Sequence, residues 1–96
     1  MTIKEFEHSL NDSSPPESIH ELLKALWFEA KGSWDKAHKL AQDQTGSDAA
    51  WVHAYLHRQE GDPSNARYWY NRAGNDTSNL SPQEEWRTIA SALLKK

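Results

Sequence analysis

"WVHAYLHRQEGDPSNARYWYNRAG", residues 51–74, carries two Trp, three Tyr, two His and three Arg in 24 positions. Its punctuation decides the fold. Gly61 follows a stretch of helical periodicity, where a glycine in the left-handed conformation closes a helix. Asp62 and Pro63 then supply an N-cap acceptor and a proline at the first helical position. The segment therefore predicts two helices, 48–60 and 63–73, joined at a Gly-Asp turn, with Gly74 ending the second.

Working outward, "SPPE" (Ser14–Glu17) and "SPQE" (Ser81–Glu84) each combine an N-cap Ser, a proline and a Glu three residues after the cap. That is the capping box, in which side chains satisfy otherwise orphan backbone N–H groups. With Gly32 as a further stop, these signals predict helices over 15–31, 34–44 and 82–94. At the start, "TIKEFEHSL" sets Ile3, Phe6 and Leu10 on one face behind a Thr2/Glu5 box, which predicts a short docked helix. No alternating strand pattern of useful length occurs. The reading is one all-α domain over 1–96: an N-terminal segment (1–13), two antiparallel helical hairpins (15–44 and 48–73) and a C-terminal capping helix (82–94).

Composition narrows the function classes. A chain of 96 residues supports a single modest core. Only 36% of it is hydrophobic, and mean hydropathy is -0.94, so five Trp, three Tyr and two Phe must supply much of the burial. A net charge of -3 offers no broad attraction for phosphate backbones or anionic lipid, so neither nucleic acid nor membrane is an expected partner. The absence of Cys removes disulfides, thiolate metal sites and cysteine nucleophiles, and fits a reducing, cytoplasmic setting. The first residues have no signal-peptide pattern, and a soluble protein is expected. Without a glycine-rich phosphate loop or a GxSxG elbow, neither an enzyme nor a cofactor is expected.

An offset of 29 lays residues 20–44 over 49–73, matching Gly32 with Gly61, Ala37 with Ala66, Ala25 with Ala54 and Leu40 with Trp69. The second copy holds Ala54, the Gly61-Asp62 turn, Ala66, Tyr70 and Ala73 at spacings that resemble tetratricopeptide and Sel1-like repeats, and "ARYWYNRAG" looks especially Sel1-like. The first copy keeps Gly32 and Ala37 but has Ala41 and Gln44 where the aromatic and second alanine belong. The resemblance covers about half the chain. The same stretch also resembles a family of small, uncharacterised single-domain proteins, which bears on fold and not on activity. The repeat resemblance implies a groove lined by the first helix of each hairpin, here Asp48, Trp51, Tyr55, Arg58 and Gln59, and with it a protein or peptide partner. The lysine and asparagine clamp for a peptide C-terminus is not visible.

Trp51, Tyr55 and Arg58 follow at i, i+4 and i+7 and form one stripe on a helix. One reading makes the two aromatics core. The other makes the stripe an exposed aromatic and arginine anchor for a peptide or partner protein, or for a second copy of the chain in a homodimer. Arg58 must reach solvent, a carboxylate or an aromatic face, and Glu29 offers a carboxylate. The alternative is a metal- or small-ligand site on His53 and His57, spaced i, i+4 with Glu60 at i+7. HExxH is absent because Ala54 follows His53, and a third donor would have to be Glu60 or His38. By the repeat resemblance these histidines occupy core-facing places, which favours packed, hydrogen-bonded rings and assigns no metal. In the run Tyr68-Trp69-Tyr70, the last is expected in the core, Trp69 against the next helix and Tyr68 exposed. Trp27, Trp34 and Trp86 are expected to pack between helices, with Trp86, Ile89, Ala90 and Leu93 closing over the second hairpin.

Overall fold

The computed structural model describes Met1–Lys96 and is all-helical, without strands. Its helices are α1 (Ile3–His8), α2 (Glu21–Ala30), α3 (Trp34–Gln42), α4 (Ser47–Glu60), α5 (Pro63–Ala73) and α6 (Pro82–Leu94), with a 3₁₀ turn over Ser9–Asn11. No helix is long and apolar enough to cross a membrane.

Local chemistry sets most of these boundaries. The Glu5 N–H donates to Thr2 Oγ1 at 3.1 Å while Glu5 Oε1 accepts from the Thr2 N–H at 2.8 Å. Ser81 and Glu84 repeat this reciprocal pair at the start of α6. Hydrogen bonding to Thr2 and to Ser81 holds the Glu5 and Glu84 carboxyls below the ordinary carboxylate range. Asp62 Oδ1 accepts from the Asn65 N–H at 3.2 Å behind Pro63, and Gly61, at φ 89°, ends α4 in the left-handed region.

The box expected at Ser14–Glu17 does not form. Pro15 is itself followed by Pro16, and the second ring disfavours the α region for the residue before it. No helix can therefore start at Pro15. Instead α2 begins at Glu21, capped by His20, whose Nδ1 accepts from the Leu22 N–H at 3.0 Å. Residues 15–20, expected to be the first third of a long helix, form an irregular connection.

Packing centres on α4, in which all nine residues from Ala49 to His57 are buried. It touches α2, α3, α5 and α6, and its most extensive contact is with α5. Alanines let the backbones approach: Ala25, Ala37, Ala41, Ala54 and Ala90 are all completely covered. Between them sit the large side chains of Phe6, Leu26, Trp27, Leu56 and Ile89. Four of the five tryptophans also tie elements together through their indole N–H. Trp27 donates to Ser9 O at 3.3 Å, Trp34 to Leu56 O at 2.7 Å, Trp51 to Thr77 Oγ1 at 3.0 Å and Trp86 to Leu26 O at 3.0 Å. Trp86 stacks on Phe6 as well, with ring centroids 5.4 Å apart, so α6 joins α1 to α2. Contrary to expectation, then, it does not merely close over the second hairpin.

Trp86→Ala removes that stack, an apolar volume and a buried hydrogen bond together, and should destabilise the fold by about 3–5 kcal/mol. Urea unfolding followed by far-ultraviolet dichroism measures this. A loss under about 1 kcal/mol, the range of a surface substitution, would show that α6 does not hold the core together.

Candidate functional site

The stripe Trp51, Tyr55 and Arg58 exists, but it points inward. Trp51 is 6% exposed and Tyr55 2%, which bears out the reading of the two aromatics as core and corrects the alternative of an exposed anchor. The third member of the stripe, Arg58, meets Glu85 on α6, a carboxylate with no exposed surface at all. Arg58 Nη1 donates to its Oε1 at 2.6 Å, and Arg58 Nη2 donates to Leu80 O at 2.8 Å. The Thr77 hydroxyl donates to Oε2 at 2.7 Å while accepting from Trp51, and the Tyr70 hydroxyl also donates to Oε2. A buried charge needs a paired, hydrogen-bonded setting of this kind. Glu85 holds the Arg58 guanidinium charged, with a pKa above its ordinary value, and burial together with Glu85 pushes the Tyr70 phenol upward.

Glu29 does not pair with Arg58. It accepts instead from the Tyr55 hydroxyl at 3.0 Å, and burial raises its carboxyl. These residues edge a cleft of about 450 Å³ that also includes Gln59 and Trp86. Glu85 was missed because, beside Glu84, it looks like one more acid in the first turn of a capped helix. Its signal lay in position: it stands four residues before Ile89 and eight before Leu93, on the buried stripe of α6.

The other face of α4 brings histidines together. His53 and His57 come from successive turns of α4 and His38 from α3, with ring centroids 5.0 Å (His38 to His53), 5.3 Å (His38 to His57) and 5.8 Å (His53 to His57) apart. One nitrogen of each lies within 4.8 Å of the others. Tryptophans hold the rings in place. His38 stacks on Trp34 with centroids 4.9 Å apart, and His53 stacks on Trp69 at 4.2 Å. Trp69 thus packs back on α4 and not, as expected, on the following helix. Tyr68 is exposed and Tyr70 buried, as the spacing predicts.

The expectation of hydrogen-bonded histidines holds for one member of the expected pair. His57 Nδ1 lies 3.0 Å from Glu60 Oε1, so Glu60 stands behind His57, and Asp62 offers a further carboxylate beside them. His53 is 6% exposed, and its buried Nδ1 has no hydrogen-bond partner. Burial, reinforced by His38 and His57, pushes the His53 ring down to about 4, and burial followed by His57 lowers His38. His53 is therefore neutral at physiological pH, the protonation state in which imidazole nitrogen binds a metal. The trio lines a cleft of about 820 Å³ that also takes in Trp69 and Arg72 of α5 and the start of α4. Sequence spacing pointed to His53 and His57. Only the packing of α3 on α4 selects His38 over Glu60 as the third donor.

No family model matches the chain, and no curated protein or solved structure matches it.

Two predictions follow the two faces of α4. Glu85→Ala leaves Arg58, Tyr70 and Thr77 without their shared acceptor and should lower stability by about 3–5 kcal/mol. Denaturant unfolding tests this, and a near-neutral result would mean that water replaces the carboxylate. The folded-state pKa of His53 lies below its unfolded value of about 6.5. Between those values the unfolded chain takes up a proton that the folded chain refuses, so stability falls as pH drops from about 6.5 toward 4. The urea midpoint should fall between pH 7 and 4.5, and by less in His53→Gln. An equal fall in both proteins would assign the acid sensitivity to other groups.

Proposed function

We propose that this chain is a small helical metal-binding protein in which His38, His53 and His57 hold a divalent transition-metal ion. The observation that carries the reading is the convergence of three imidazoles around a buried His53 nitrogen that has no partner. Imidazole donors suit zinc, copper and nickel, and zinc, which has no redox chemistry of its own, is the ion taken for the test. Tetrahedral zinc with Zn–N of about 2.1 Å sets its donors roughly 3.4 Å apart. The 4.8 Å limit on the three atoms is within reach of that by ring rotation. Glu60 stands behind one of the ligands: a carboxylate on the far nitrogen of a ligating histidine fixes its tautomer and raises its basicity. Three protein ligands facing a cleft leave at least one coordination position for an outside group, unlike the closed sites of structural zinc.

In the finer architecture we read α2 with α3 and α4 with α5 as two antiparallel hairpins of the tetratricopeptide or Sel1 kind. The Gly61-Asp62 connection and the dominant α4 to α5 packing support this. The chain's lack of cysteine favours the cytoplasm. A partner protein at the Trp51, Tyr55 and Arg58 face would reach Arg58, one quarter exposed, and the Glu29 and Gln59 edge of the smaller cleft, but neither buried aromatic. We therefore place it second.

Protein purified without a metal-affinity tag, stripped with chelator and dialysed against zinc should retain about one ion per chain. Its melting temperature should rise, since zinc at about 100 times Kd stabilises by about 2.7 kcal/mol. Glu60→Gln should weaken binding roughly 10- to 100-fold, the usual effect of losing a carboxylate that orients a ligating histidine. His53→Gln or His38→Gln should weaken it further, and acid should release the ion. Retention unchanged by either histidine substitution would overturn the reading.

A further inference from the structure

The cleft beside the histidines has a charge preference of its own. The chain holds 14 acidic residues against 11 basic ones, yet no Asp or Glu lines this largest cleft. Glu60 and Asp62 stand behind His57 and outside the lining. Arg72 does line it. Its guanidinium lies over the rings of Tyr68 and Trp69, 5.7 and 5.6 Å from their centroids, and forms no ion pair with a carboxylate.

The start of α4 forms the rest of that wall. Gly46, at φ 98°, occupies the cap position and brings no side chain, so nothing caps the first amides. Those N–H groups carry the positive end of the helix dipole. Asp48, in the same turn, is drawn off by Lys96 at 2.8 Å and is not part of the lining. The wall alone would attract an anion only loosely. What makes it part of a site is His53, 94% buried with an unpartnered Nδ1, lining the same cleft.

Distance fixes the shape of the ligand. Ser47 and His53 are six residues apart on α4, a rise on the order of 9 Å at 1.5 Å per residue. Trp69 links His53 to Arg72, with its ring 4.2 Å from that of His53 and 5.6 Å from the Arg72 guanidinium. One small ion does not span both. A volume of about 820 Å³ suits a small organic molecule.

We propose that the cleft binds a small organic dianion, with one carboxylate or phosphate group on the ion held by His38, His53 and His57 and a second acidic group against Arg72 and the opening amides of α4. This rests on the metal reading for its first half and on Arg72 and α4 for its second. The metal neutralises one end and excludes a cationic head group. Arg72 meets the other end with directed, charge-assisted hydrogen bonds.

The test is a nuclear magnetic resonance titration of the zinc-loaded and chelator-stripped chain with three probes: adipate, with two carboxylates; 3-phosphoglycerate, with one of each group; and acetate, with a single carboxylate. Expected are shifts at the amides of Ser47, Asp48 and Ala49 and at the Trp69 indole N–H with the first two probes. Affinity should be on the order of tenfold higher with zinc bound, the scale of an ordinary coupling between two ligands. Arg72→Gln should lose roughly that factor while keeping zinc affinity, which separates ligand binding from metal binding. The preferred probe tells a carboxylate head group from a phosphate one. If zinc binds and neither adipate nor 3-phosphoglycerate moves these signals more than acetate does, or Arg72→Gln changes nothing, the dianion proposal is overturned and the metal reading stands. If no zinc binds, the half of the proposal that rests on the metal is overturned, and adipate shifts that still depend on Arg72 would sustain the other half.

Discussion

The Glu85 carboxylate is the constraint around which the rest of the molecule is arranged. α4 runs through the centre of the domain buried on every side, yet it is not an apolar helix; Trp51, His53, Tyr55 and His57 all bring polar atoms inside, and Arg58 enters from its edge. Such a helix can be central because all of those groups but His53 find a partner there. Glu85 accepts from Arg58, Tyr70 and Thr77, and Thr77 in turn accepts from Trp51, so one side chain from α6 ties together α4, α5 and the connection that carries Thr77. It also fixes the chain between α5 and α6, since Arg58 reaches Leu80 O with its second nitrogen.

The opposite side of α4 is organised differently. Its histidines are braced by aromatic faces, Trp34 behind His38 and Trp69 behind His53, which set ring planes without engaging ring nitrogens. The network around Glu85 is closed and its groups answer one another. The histidine cluster is open, with one nitrogen held out of water and left unanswered. A single helix thus carries a structural face and a face with unused bonding capacity, and the second is where chemistry with an outside group is to be sought.

What could be read from the sequence was local. Thr2 with Glu5, Ser81 with Glu84, Asp62 with Pro63, and Gly61 each act within four residues, and each does what its spacing predicts. The Ser14 box failed for an equally local reason, the second proline. The candidate site was harder because its decisive partners are distant in sequence. Arg58 and Glu85 are 27 residues apart, and the third histidine comes from another helix. Spacing along one helix shows which side chains share a face. Which neighbour covers that face depends on the packing of α3 and α6, which no window along the chain contains.

The stack of Phe6 on Trp86 has a consequence for the order of assembly. A helical domain whose partners were all sequence neighbours could acquire its structure piece by piece. Here the first helix rests on the last, and the Trp86 indole reaches back to Leu26 across 60 positions. A growing chain that has emerged only as far as α5 holds Arg58 without its counter-ion and Phe6 without its cover. It exposes apolar surface until α6 arrives, a state prone to association with other unfinished chains. The cover of Phe6 and the counter-ion of Arg58 both come with residues 82–94.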